Sequence, residues 1–182
     1  METDFNFDAV IGVDPGANGG IALYRPGNNV KVIRMPNNIA DIREFLQYVK
    51  EISKQPIIFI EKVQLRSDDL NANPGKAFRI QQLLLAFQQL KDYFEIEDIP
   101  YIQLHPMSWQ SILKLRKHNE EKTERKNRYK RAAQHYYPAV KATLWNADAL
   151  LIMHAGRLKL KNDPDWVKEN LPNRVINSLF KK

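Results

Sequence analysis

The chain has 182 residues, 43% of them hydrophobic, which is enough to close one core and so predicts a single domain spanning 1–182. No run approaches the roughly 18 to 20 apolar residues that a membrane span needs, and the METDFNFDA start lacks the basic and apolar parts of a signal peptide, so a soluble, cytoplasmic protein is expected. With no cysteine and a net charge of +7, disulfides, thiolate chemistry and Cys-ligated zinc are excluded, and a polyanionic partner is favoured.

In chain order, three strands are predicted at 8–14, 19–25 and 30–35, joined by the turns Gly16 to Gly20 and Pro26-Gly27-Asn28-Asn29, most simply as a meander. The first runs through Val10-Ile11-Gly12-Val13 into Asp14. A carboxylate placed next to apolar residues is costly to bury unless a cation or hydrogen bonds compensate it, and the glycines let the following backbone fold back beside it. A metal-holding strand end and a hairpin turn capped by its own Asp are equally compatible with this segment, which also resembles the start of a phosphate-cradling loop.

Residues 37–54 read as an amphipathic helix, with Ile39, Ile42, Leu46 and Val49 on one face and Asn38 as its cap; Pro56 ends it. Ile57-Ile58-Phe59-Ile60 is a continuous apolar run of the kind covered on both faces, and it ends in a second carboxylate, Glu61. After a polar loop from Gln64 to Pro74, with Asp68 and Asp69 solvated, a long helix follows whose wide stripe (Ala77, Ile80, Leu83, Leu84, Phe87, Leu90) can cover a sheet and leave surface for a partner subunit. Tyr101 to His105 is a fifth strand closed by Pro106, and Met107 to Leu113 a short helix; His105 and Trp109 read as a strand-end hydrogen-bonding residue and a packing aromatic.

Between Lys114 and Arg131 nine basic residues face three acidic ones, a net of +6 within one segment. Glu121–Arg125 and Glu124–Arg128 are spaced as i,i+4 pairs on a solvated helix, yet most cations stay unspent, which favours a phosphate backbone. The last motif, Trp145 to Ala155, places Asp148 in the first turn of a helix and on the same face as Leu151, Ile152 and Ala155. Helix-dipole capping accounts for an acid there. Its sharing an apolar face argues instead that it packs where Asp14 and Glu61 end, and three converging carboxylates call for a divalent cation. The tail, 159–182, is expected to form a final helix.

Together the Asp14-Pro15-Gly16-x-x-Gly19-Gly20 opening, Ile60-Glu61-Lys62-Val63, Asn73-Pro74, His105-Pro106-x-x-Trp109 and Ala147-Asp148-Ala149-Leu150-Leu151-Ile152 resemble a RuvC-type Holliday junction resolvase of the RNase H-like nuclease superfamily, most closely its phage-encoded and divergent members. The likeness spans residues 8–158. It implies an α/β fold with a mixed five-stranded sheet of order 3-2-1-4-5 flanked by helices, a homodimer joined through the helix of 76–94, and a bacterial or phage-infected cytoplasm. It also implies cleavage of four-way junctions or other branched DNA with two Mg²⁺ or Mn²⁺ ions per site. Asp14 would bridge both ions, with Glu61 and Asp148 each completing one sphere. Lys62, Arg66, Arg79, Arg116, Lys117, Lys122, Arg125, Lys126 and Arg128 would hold DNA phosphates.

The chain departs from that family at two points. Where an Asp or His commonly stands one turn before the last Asp, it has Thr143-Leu144-Trp145-Asn146, which leaves Asn146 or His154 as a further ligand, or a site of three acids. Gln64 stands where bacterial members place an aromatic that opens the junction. The alternatives are therefore a related nuclease on RNA or simple DNA, and a catalytically weak branched-DNA binding protein. An actin-like phosphotransferase is disfavoured, because no second glycine-rich phosphate loop is found.

Overall fold

A computed structural model of the chain describes residues 6–65, 73–173 and 175–176. Five strands, β1 (Ala9–Asp14), β2 (Gly20–Tyr24), β3 (Lys31–Arg34), β4 (Pro56–Glu61) and β5 (Tyr101–Leu104), form one sheet of order β3-β2-β1-β4-β5. The first three are antiparallel neighbours, whereas β4 and β5 run parallel to β1. This is the expected mixed α/β sheet, and each predicted strand lies within a residue or so of its observed limits.

The connections follow from local chemistry. Helix α1 (Ile39–Ile52) starts where the Asn38 side chain accepts from the Asp41 amide at 2.9 Å, and α2 (Pro74–Ile96) where Asn73 accepts from Lys76 at 2.9 Å with Pro at the first helical position. A short helix, α3 (Pro106–Ile112), follows β5 directly. Then come α4 (Lys122–Tyr136), α5 (Ala147–Asn162) and α6 (Pro164–Asn170). The tail expected as one helix from Lys159 is divided: Lys159 still belongs to α5, a new helix opens at Pro164, and residues 173, 175 and 176 are helical again; Leu179 and Phe180 lie outside the described residues.

Strand alternation sorts the core into two layers. Ile11, Val13, Ile58 and Ile60 face α1 and the end of α2, while Val10, Ile57 and Phe59 face α3 to α6. On the second side α5 lies against the sheet itself. A Cβ on Gly12 would stand 2.3 Å from the Ala149 carbonyl oxygen and 2.4 Å from the Met153 nitrogen, and one on Gly156 2.3 Å from the Phe59 ring. Absence of a side chain at these two points lets α5 descend onto β1 and β4. Its first turn, with Asp148, is thereby brought to the end of the sheet where Asp14 and Glu61 stand.

The other layer is looser. Of the stripe predicted for α2, Phe87 and Leu90 are buried, Ile80, Leu83 and Leu84 half-buried and Ala77 exposed; Phe94 is buried as well, while Phe78 and Leu85, which lie off that stripe, are exposed. Burial along the stripe thus deepens from the first turns of the helix to the last.

Candidate metal and nucleic-acid site

Asp14 and Glu61 each stand one residue beyond the last paired positions of adjacent parallel strands, Val13 and Ile60, so their side chains leave the same edge of the sheet about one strand spacing, ~5 Å, apart. Asp14 accepts the Gly16 amide at 3.3 Å. Glu61 accepts the indole N–H of Trp109 at 2.7 Å, and Trp109 is itself 1% exposed. Trp109 is therefore more than a packing aromatic: the ring that fills the core also fixes the direction of one carboxylate. Only the fold, which brings α3 beneath the end of β4, makes that contact visible.

Burial, reinforced by the Asp148 charge, pushes the Asp14 carboxyl up to about 6; burial and the Asp14 charge push Glu61 up to about 7. Both shifts report acids gathered away from water. Asp148 is 8% exposed; its Oδ2 accepts from Lys126 Nζ at 2.6 Å, while its Oδ1 is buried with no hydrogen-bond partner. Burial works against the charge on Lys126, but Asp148, with Asp14 and Glu61 behind it, keeps that ammonium protonated to higher pH than usual.

These residues fit a divalent cation chemically. All three acids offer hard oxygen ligands, two are pushed toward protonation by burial and by each other's charge, and one has a buried oxygen with no donor among the described residues. Among the described residues no group of three or more His, Asp or Glu is drawn close enough to hold an ion as the side chains stand. Lys126 supplies the compensating positive charge there.

The expected fourth ligand is otherwise engaged. Asn146 Oδ1 accepts the Thr143 amide at 2.7 Å and its Nδ2 donates to the Lys141 carbonyl at 3.1 Å, so this 1% exposed amide closes the turn that starts α5. Trp145 occupies the position three before Asp148; its ring lies against Gly20 and under the Arg34 guanidinium, whose carbon is 5.0 Å from the ring centre. His154 faces away from the acids, stacked on Tyr136 with centroids 4.1 Å apart and paired to the Tyr137 hydroxyl at 3.0 Å; burial pushes its pKa down to about 4.

The basic candidates divide. Arg116, Lys117, Lys122 and Arg125 are exposed on α4 and the loop before it, and Arg79 is exposed on the first turns of α2, its Nε donating to the Gly75 carbonyl at 3.2 Å. Lys62 lines a cleft with Tyr101, Gln103 and residues 170–172 at the β5 edge. Arg66 lies outside the described residues, as do Asp68 and Asp69.

Arg128 is committed to the protein. It grips Glu120 with two guanidinium nitrogens, Nε at 2.8 Å from Oε1 and NH2 on Oε2, and NH1 donates to the Leu115 carbonyl. The expected partner, Glu124 one turn earlier, is replaced by Glu120, which follows Asn119, a residue in the left-handed region at φ 53°. Nor is α4 wholly solvated: Tyr129 and Ala133 are buried against α3 and α5, Tyr129 edge-on to Trp109 at 5.2 Å. Gln64 Oε1, in the loop after Glu61, accepts from His105 Nε2 at 2.9 Å, and His105 Nδ1 accepts the Met107 amide at 3.3 Å, consistent with the strand-end role read for it.

No family model and no curated protein sequence matches this chain. Solved structures do. A T. thermophilus RuvC structure in complex with Holliday junction substrate superposes with a TM-score of 0.54 at 14% identity, covering 85% of this chain and 96% of that one. A second Thermus thermophilus RuvC structure gives 0.52 at 15% identity over 84% and 95%. With the strand order 3-2-1-4-5 and the helices on both faces, the chain has the RuvC-like variant of the RNase H-like fold.

Proposed function

We propose that this protein is a divalent-metal-dependent endonuclease acting on branched DNA, with four-way junctions as its substrate. The observation that carries the reading is the grouping of Asp14, Glu61 and Asp148 at one sheet end, with two carboxyls pushed to about 6 and about 7 and a buried oxygen of the third left without a partner. The fold shared with a protein solved on Holliday junction substrate supports the substrate class.

Asp14, Glu61 and Asp148 would hold Mg²⁺ or Mn²⁺, two ions in the full site, which supply an activated water and stabilise the departing oxygen of the phosphodiester. The chain's own residues prepare this. Trp109 holds Glu61 in place. Lys126 balances the acids before substrate arrives, and on binding would pass its ammonium from Asp148 to a DNA phosphate. Lys62, Lys122, Arg125, Arg116, Lys117 and Arg79 supply further phosphate contacts, while Arg128 maintains the loop that carries Arg116 and Lys117. Paired cuts across a junction need two sites, and the exposed part of α2 offers a surface for a second copy of the chain.

The test is incubation of the purified protein with labelled four-way junction, linear duplex and RNA–DNA hybrid, with Mg²⁺, with Mn²⁺ and with chelator. Metal-dependent cutting confined to the junction is expected. Preference for the hybrid or the duplex would redirect the reading to RNA or simple DNA, and tight junction binding without cutting to a binding protein.

A further inference from the structure

Beside the carboxylates, on the β3 side, lies a small cluster that the proposed chemistry does not use. Gly20 pairs with Asp14 on one side and with Arg34 on the other, so Arg34 lies two strand spacings, ~10 Å, from Asp14 along the same sheet end. Trp145, one helical turn before Asp148, packs on Gly20; a Cβ there would stand 3.0 Å from its ring. The exposed Arg34 guanidinium lies over that ring at 5.0 Å, and Leu144, the residue before Trp145 in the chain, is 55% exposed.

We infer that Arg34 and Leu144, backed by Trp145, form a stacking platform for one unpaired nucleobase, that of the nucleotide adjoining the phosphate held at the carboxylates. The inference rests on the nuclease reading above and deepens it. A guanidinium held over an indole offers a flat cationic surface of the kind on which bases stack, and the adjacent leucine extends it with apolar area. A branch point supplies a base whose unstacking is cheap. The stretch Thr143 to Asn146, where the resemblance leads one to expect an acid or histidine, holds neither, which leaves this turn free for nucleotide contact. Arg34 also carries a charge that suits the strand it would touch.

The experiment places 2-aminopurine at branch-point nucleotides of a four-way junction and follows its fluorescence at saturating protein, with Ca²⁺ replacing Mg²⁺, saturation being checked by anisotropy. The variants are Arg34→Lys, which keeps the charge and loses the plane, Leu144→Ala, and the two together; both positions are exposed, and circular dichroism checks the fold. The wild type is expected to change the fluorescence, and the double variant to lose that change while junction affinity falls about tenfold, within the range of one lost stacked base. Affinity for a linear duplex without a branch point should move by less than about twofold, because the substituted side chain keeps an ammonium that can still serve a phosphate. An unchanged fluorescence response in the saturated double variant would overturn the platform, as would an equal fall in affinity for the linear duplex. A wild-type protein that neither binds nor cuts junction DNA would remove the nuclease reading and the platform with it; binding and metal-dependent cutting with an unaltered response in the variant would remove the platform alone.

Discussion

The two long helices of this protein treat the same sheet in opposite ways. Helix α5 buries nearly every residue from Ala147 to Gly156, including Asp148, and reaches the strands through two glycine contacts, whereas α2, longer by about two turns, buries only Phe87, Leu90 and Phe94. The difference teaches where position matters. A carboxylate that must meet two others is carried on an element with no freedom to shift, while the helix with exposed Phe78 and Leu85, 60% and 50% accessible, carries none of the three acids.

The sharpest way to break this contrast is to add a methyl group under α5. Gly12→Ala places a Cβ inside the Ala149–Met153 backbone, where no side chain can swing away, and the mutation should cost about 3 kcal/mol or more and displace Asp148. Chemical denaturation reads the stability and a junction assay the activity. A loss below about 1 kcal/mol would mean that α5 is not held as tightly as its contacts indicate.

The crowding of acids under α5 has a pH signature. Asp14 and Glu61, raised to about 6 and about 7, bind protons in the folded state that the unfolded chain releases nearer pH 4, so they favour folding below that range and oppose it as pH rises through 4 to 7. His154, lowered to about 4, works the other way, its contribution being lost as pH falls below about 6.5. Comparing wild type with Asp14→Asn/Glu61→Gln cancels the histidine. In metal-free buffer the double variant should be the more stable by about 1–3 kcal/mol at pH 8, with the advantage vanishing near pH 4. A difference independent of pH would show that the acids are not crowded.

Trp109→Phe keeps the ring in the core and removes the donor to Glu61. Cleavage should fall about 10- to 100-fold, as for other groups that orient a ligand, beyond what the roughly 1–3 kcal/mol lost with the smaller core ring explains at a temperature where the variant stays folded; unaltered cleavage would mean that Glu61 needs no fixing. The smallest effect belongs to α2. Phe78→Lys and Leu85→Lys should leave monomer stability within about 0.5 kcal/mol while turning a dimer into monomers in sedimentation. A stability loss of several kcal/mol would show that these positions are core after all.

Much of this contrast can be read from the chain, and the part that cannot is non-local. The apolar runs ending in Asp14 and Glu61 announce two strands that deliver acids, and Asp148 on an apolar helix face announces the third; their order in the sheet came through the resemblance, because periodicity says nothing of which strands are neighbours. The purpose of Gly12 is invisible without α5 on top of it. Arg128 shows the same limit. Spacing nominates Glu124, but the loop before α4 delivers Glu120, and the cation chosen for DNA is spent on the protein. Lys126, two residues earlier, reads as one more surface cation until the packing of Tyr129 and Ala133 turns it toward Asp148.

If Asp14, Glu61 and Asp148 act together on a metal, loss of any one of them should silence the site. Single-turnover cleavage of a four-way junction in Mn²⁺ by wild type and by Asp14→Asn, with junction affinity measured in parallel, tests this most directly. Asp14→Asn is expected to lower the rate by about 10³-fold or more, since one member of a cooperating set is lost, while junction binding is kept or strengthened because a negative charge near phosphate is removed. Metal-dependent cleavage at the wild-type rate in that variant would contradict the account.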